Sequence, residues 1–188
     1  QILDAAGRAF GQYGFRKTTL ADIVREAGVA RATVYKHFSS KEEIFQAVID
    51  REVADILVSV RAAVERETNT YDRLRAAITT QNAVLREKVN VFRMTMEAFS
   101  DVIGKTHQNA ENMAVEIIKL YGWILEEGVK AGEIFVDDVE TTSLSVLLAF
   151  KGTFMTTVTG QMQDQMPAVM DRLVEIIWDG LRCREESA

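Results

Sequence analysis

One cysteine, one proline and two histidines in 188 residues leave little room for several classes of protein. Cys183 alone closes no intrachain disulfide and builds no thiolate cluster, a usage that suits a reducing, cytoplasmic setting. His37 and His107 stand in neither an E-x-x-H nor an H-E-x-x-H pattern. A zinc-protease or ferritin-like di-iron centre is therefore not expected, nor any metal or cofactor. Pro167 and eleven scattered glycines are too little punctuation for a β-sandwich or barrel, which needs frequent turns. Long apolar runs are missing as well, since Lys151 breaks the stretch at 147–150. No bilayer span and no signal peptide are read from the sequence. Nor is there a nucleophile–His–acid set or a glycine-rich phosphate loop, so an enzyme is not expected. Gln1 already stands inside a helical pattern, so a short leader is expected upstream, with any basic arm on it.

Positive charge is also in short supply, with a net charge of −6, but it is unevenly spread. Residues 1–51 carry eight Lys/Arg against six Asp/Glu, a net +2, which leaves −8 for the remainder. A mildly basic head on an acidic body can meet phosphates at one end only. The 47% apolar content is enough for a substantial core.

The pattern throughout is helical. Ile2, Leu3, Ala6, Ala9, Phe10 and Tyr13 recur at helical spacing, and Gly14 follows as a stop. Thr19 with Asp22 is a capping signal for a short helix bearing Leu20, Ile23, Val24 and Ala27, closed by Gly28. A third short helix is predicted from about Ala30 to His37. Ser40 with Glu43 gives a second capping box, opening a long helix through Ile44, Phe45, Val48, Ile49, Val53 and Ile56. Further helices are predicted at 40–66, 71–89, 91–103, 109–131, 138–160 and 167–184, with a loop at 101–109. The fold class is all-α: a three-helix, homeodomain-like helix-turn-helix head over 1–46 and a helical body over 47–188.

The third helix has the character of a groove reader. At about 100° per residue, Val34 and Phe38 fall together and point inward, with Tyr35 at their edge. Ala32, Thr33, Lys36 and His37 occupy the opposite side. Ala32 permits close approach and can touch a thymine methyl, Thr33 can bond a base edge or phosphate, and Lys36 can reach guanine or backbone. Arg31 lies on the flank. Thr19 begins the preceding helix, where free N–H groups and the positive dipole end favour phosphate, and Lys41 has the same logic on the other side. Each residue alone reads as a solvated surface side chain, and His37 beside Phe38 alone reads as structural. Together with the caps and the Gly-Val turn, they read as a DNA-binding unit.

The run Phe15-Arg16-Lys17-Thr18-Thr19-Leu20-Ala21-Asp22-Ile23-Val24-Arg25-Glu26-Ala27-Gly28-Val29, continued by Ala30-Arg31-Ala32-Thr33-Val34-Tyr35-Lys36-His37-Phe38-Ser39-Ser40-Lys41-Glu42-Glu43, resembles the signature of the tetracycline-repressor (TetR) family. The resemblance implies a homodimer whose two recognition helices enter successive major grooves of a palindromic operator in double-stranded DNA. It implies phosphate contacts from Thr19, Tyr35, His37 and Lys41, with base reading centred on Arg31, Ala32, Thr33 and Lys36. Ala30 stands where the family usually has a Ser or Thr cap, and Ala32 where glycine is frequent.

In the body, the helix at 138–160 carries Leu144, Leu148 and Met155 on one side and Val146, Phe150 and Phe154 on another, with Leu147 between. The last helix is apolar over a similarly wide arc. Each has more apolar surface than one packing partner can hide, which points to a second subunit. Leu148, Met155, Val169, Leu173, Ile177 and Leu181 are the expected dimer contacts, and the resemblance implies a four-helix interface from the final two helices. Gly152 and Gly180 would allow close approach there.

Phe92, Met96, Phe99, Met113, Ile117, Tyr121, Phe150 and Phe154 are candidate lining for an apolar effector pocket, which the resemblance also implies, although such residues equally make plain core. Candidate polar partners are Tyr121, Asn112, Gln108 and His107. The segment 122–135, with Trp123, Glu127, Gly128, Gly132 and Glu133, resembles a helix end and turn common in the family. The expected function is a repressor released from its operator by a small apolar or amphipathic effector. The alternative is a DNA-binding regulator without such an effector, controlled by a protein partner or constitutive.

Overall fold

The computed structural model describes residues 1–87, 106–159 and 164–183, without the side chains at 106–113, 154, 155 and 157–159. The helix expected at 91–103 lies outside the described residues. Two compact units are present, one built from residues 1–55 and 106–111 and one from 56–87 and 112–183 among those described. Helix α4, Lys41–Val64, begins in the first and ends in the second.

The first unit is a small aromatic-centred core. Helix α1, Ile2–Tyr13, puts Ala5, Ala6, Ala9 and Phe10 inside. Helix α2, Leu20–Ala27, contributes Ile23, helix α3, Arg31–His37, contributes Val34, and α4 contributes Ile44, Phe45, Val48 and Ile49. Phe10, Phe15 and Phe45 meet with ring centroids 4.6–5.7 Å apart. The loop joining α1 to α2 is held from within. Thr18 is buried, and its hydroxyl lies 2.8 Å from the Gly14 carbonyl oxygen and 3.2 Å from that of Ala9.

The capping pattern accounts for the boundaries. The Thr19 hydroxyl accepts the Asp22 N–H, while Asp22 accepts the Thr19 N–H at 3.0 Å, a complete capping box. Gly28 ends α2 at φ 61°, a left-handed conformation that costs glycine little, and donates to Val24 and Arg25 carbonyls. Helix α3 starts at Arg31 with Ala30 as its N-cap residue and no side-chain cap. At Ser40 only half of the expected box forms. Its Oγ accepts the Glu43 N–H at 3.1 Å, but the Glu43 carboxylate turns to the N–H and hydroxyl of Ser39.

The second unit holds the rest of α4, then α5, Thr70–Glu87, the part of α6, Thr106–Lys130, from Asn112 onward, α7, Val139–Thr159, and α8, Met166–Leu181. Helix α6 begins at Thr106, so its first residues take in part of the segment expected to be a loop. Ile56, Val60, Leu74, Ile78, Ile117, Ile124, Leu125, Phe150, Met170 and Val174 are among its enclosed side chains. Helix α5 packs on α8 through Tyr71 against the edge of Trp178, and Arg75 meets Asp171 at 3.2 Å. The α6–α7 connection is tied down at both ends of the chain segment that follows. Ile134 bridges to Arg182, the Phe135 N–H bonds to the Leu181 carbonyl, and Glu133 accepts the N–H of Thr70 at 2.8 Å. Among the described residues no helix is long and apolar enough to cross a membrane.

Gly128 is required by this junction. A Cβ there would lie 2.6 Å from Thr70 Oγ1, 2.7 Å from its Cγ2 and 3.0 Å from Ile134 Cδ1. Gly128→Ala should destabilise the protein by about 1–3 kcal/mol, the usual cost of overpacking. Thr70→Ala in the same chain should recover much of the loss, which thermal melting of the single and double variants checks.

Candidate nucleic-acid interface

Helix α3 is anchored by one fully enclosed side chain, Val34 at 0% exposure, and by the half-buried Phe38 that follows it. Arg31, Ala32, Thr33, Tyr35, Lys36 and His37 are all exposed. The inward and outward sides thus divide as the periodicity predicts, with Tyr35 on the solvent side of the edge. Lys36 and His37 also stand in the last turn, where cations complement the helix dipole.

Not every polar group on this surface is idle. Arg31 Nη2 donates to the Tyr35 hydroxyl at 3.1 Å, and its guanidinium carbon stands 5.2 Å from the Tyr35 ring centroid. The i,i+4 spacing was the signal for this pair, but two exposed polar residues so spaced are common and sequence reasoning passed over it. Thr19 is exposed, and its hydroxyl faces Asp22, lying 2.6 Å from Oδ2. Bonds from the Thr19 hydroxyl and N–H, with Arg25 beside it, hold the Asp22 carboxyl below its ordinary pKa of 3.8.

Lys41 is only half-exposed. Its ammonium donates to the Phe15 carbonyl at 2.9 Å and sits 4.3 Å from the Phe15 ring centroid. One of its three donors is therefore committed to the loop between α1 and α2, and the others remain for a partner.

The body candidates fall into three groups. Ile117, Tyr121 and Phe150 are buried. Phe92, Met96 and Phe99 lie outside the described residues, as do the side chains of His107, Gln108, Asn112, Met113, Phe154 and Met155. Of the expected dimer contacts, Leu148 and Val169 are exposed and Leu173, Ile177 and Leu181 are half-buried. Leu144 and Ile176, at 42% and 57%, are exposed beside them and were not among those contacts. A Cβ added at Gly152 or Gly180 would meet nothing within 4 Å. Sequence reasoning also missed two buried amides on α5, Gln81 and Asn82; Gln81 accepts the Tyr121 hydroxyl at 3.2 Å. Burial pushes the Tyr121 phenol above its ordinary pKa, so it remains a donor. Among the described residues no group of three His, Cys, Asp or Glu side chains converges to hold a metal.

Comparison with known proteins joins the two units. Residues 2–48 match the family model of bacterial regulatory proteins, tetR family, and residues 78–182 match that of the QacR-like protein C-terminal region. The chain belongs to the TetR family of transcriptional regulators. It is similar to the fatty acid metabolism regulator protein of Bacillus subtilis, at 21% identity over 182 residues, which cover 96% of this chain and 94% of that one. A crystal structure of FadR from Bacillus subtilis in complex with stearoyl-CoA shares the fold, with a TM-score of 0.77 at 20% identity, covering 95% of this chain and 97% of that chain. The HTH-type transcriptional activator FasR of Mycolicibacterium smegmatis is 38% identical over 78 residues, 42% of this chain but only 36% of FasR. As a TetR-family protein the chain is a DNA-binding regulator, and α2 with α3 is its helix-turn-helix.

The Thr19–Asp22 box makes this element sensitive to acid. A folded-state pKa held below 3.8 means stability that is fully present above that value and is lost as the pH falls through the lower one. Asp22→Asn should remove part of the acid-side loss, so that melting temperature falls less between pH 5 and pH 3 than in the wild type. Parallel curves for the two proteins would show that the box carries no such linkage.

Proposed function

We propose that this TetR-family protein is a homodimeric repressor that leaves a palindromic operator when a small apolar or amphipathic molecule enters the body. The observation that carries the DNA half is α3, enclosed through Val34 and exposed at six other positions. In this reading Arg31, Ala32, Thr33 and Lys36 read bases, and Thr19, Tyr35, His37 and Lys41 hold phosphates. The apolar side chains left exposed on α7 and α8, namely Leu144, Leu148, Val169 and Ile176, meet their counterparts in the second copy.

The effector half is supported by the enclosed Ile117, Tyr121 and Phe150 and by the buried amides Gln81 and Asn82 of the same unit. A relative named for fatty acid metabolism and a structural neighbour bound to stearoyl-CoA make a long acyl chain the first ligand to try. Release requires that the effector bind the DNA-free arrangement more tightly than the operator-bound one. Helix α4 belongs to both units and is one covalent route by which such a preference reaches the head.

Selection of bound duplexes from a random pool should return an inverted repeat, and stearoyl-CoA should lower affinity for it. A recovered site without two-fold symmetry would overturn the dimeric operator. Operator affinity unchanged at saturating stearoyl-CoA would remove an acyl effector, and failure across a broad panel of apolar ligands would favour control by a protein partner. On the recovered site, Lys36→Ala should relax preference at one half-site position and cost about 1–3 kcal/mol. Lys41→Ala should instead weaken binding to all sequences alike and lower the salt slope by about one unit. Titrations at several salt concentrations separate the two.

A further inference from the structure

Asn82 is the side chain of the body that the fold itself does not explain. It lies on α5 at 4% exposure, and its Nδ2 meets no hydrogen-bond acceptor. Buried amide groups in folded proteins nearly always find a partner, because an unmet donor forfeits its hydration with nothing in return. The groups around it along the helix are otherwise accounted for. Ile78 and Leu85 are buried and apolar. Gln81 takes the Tyr121 hydroxyl, and elsewhere in the unit the buried Ser143 of α7 donates to the Val139 carbonyl at 2.6 Å. The unmet donor is thus a single defined point on α5, between the buried apolar Ile78 and Leu85 along the helix.

The neighbourhood also limits what can meet it. Among the described residues, the buried polar side chains of this unit are Thr70, Gln81, Asn82 and Ser143, and all are uncharged. A carboxylate or phosphate brought to Asn82 would lose its hydration with no buried cation among the described residues to replace it. A carbonyl oxygen would gain the missing bond at little desolvation cost.

We propose that Asn82 is the donor that orients the effector, and that the effector is an apolar molecule presenting an uncharged acceptor oxygen (a ketone, ester, thioester or amide carbonyl) to its Nδ2. This rests on the reading of the body as an effector-binding unit and names the chemistry that the site selects.

Calorimetric titration of the full chain with 2-undecanone and with undecanoate tests the charge preference without any mutation. The ketone should bind at least about tenfold more tightly than the carboxylate. Asn82→Leu, close in shape but without the donor, should weaken ketone binding about five- to tenfold, the worth of one hydrogen bond. Its melting temperature should be no lower than that of the wild type, because the unmet donor is gone. Absence of ketone binding, tighter binding of undecanoate, or equal ketone affinity in wild type and Asn82→Leu would each overturn the proposal. A lowered melting temperature in Asn82→Leu would likewise assign the amide to the fold. Operator release is read separately. Stearoyl-CoA that frees DNA equally well from wild type and Asn82→Leu would defeat the role of Asn82 while leaving the effector reading intact. Ketone binding that follows the expected pattern without altering operator affinity would do the reverse.

Discussion

Seven residues make a poor helix in water, and α3 has no side-chain N-cap to help it. What holds it is the enclosure of Val34, with the half-buried Phe38 after it, against a core of Ala9, Phe10, Ile23, Phe45 and their neighbours. Everything asked of the DNA-facing surface depends on that one hydrophobic anchorage, because it leaves the other side chains of the helix free of any packing duty. The Phe10–Phe15–Phe45 cluster beneath it serves the same end. It fixes α1 and α4 to the loop before α2, and Lys41 adds a bond from α4 to the Phe15 carbonyl.

The head was readable because its determinants are local. A hydroxyl three residues before a carboxylate, a glycine at a left-handed turn and apolar residues at helical spacing act within one or two turns of chain. Thr19, Asp22 and Gly28 therefore behave as their spacing implies. The Ser40–Glu43 box shows where local logic ends. Ser39, one residue earlier, offers the Glu43 carboxylate both an N–H and a hydroxyl at 2.6 Å, and the reciprocal bond shifts to it. Two adjacent serines present a choice that spacing alone does not resolve.

The body was readable only as helices. Apolar periodicity located α5, α7 and α8 to within three residues, but which part of a wide apolar arc is covered depends on partners distant in sequence. Leu144 and Leu148 remain exposed while Val146, Leu147 and Phe150 are enclosed on the same helix. Gln81 and Asn82 illustrate the converse. Two amides in a row read as a solvated face, and their burial comes from α5 lying within its unit, with Tyr121 of α6 reaching Gln81. Gly128 carried a signal of a third kind, a resemblance in the 122–135 segment, and its physical reason is the approach of Thr70 from α5.

The DNA-facing polar groups differ in what they must give up on binding. Arg31 has to exchange its Tyr35 hydroxyl and ring for a base or phosphate, and the Thr19 hydroxyl is already engaged with Asp22. Such exchanges return only the difference between two similar bonds, so in the proposed reading these two side chains add less affinity than their charge and hydroxyl suggest. The Lys36 and Thr33 side chains are exposed, and neither is paired with another side chain among the described residues. A bond from either to a base edge replaces only water, and its loss at a wrong base leaves a cation or hydroxyl facing a mismatched groove. In the proposed reading, then, Lys36 and Thr33 reach a base edge without first giving up a bond inside the protein, whereas Arg31 and Thr19 reach their DNA contacts only by exchanging one.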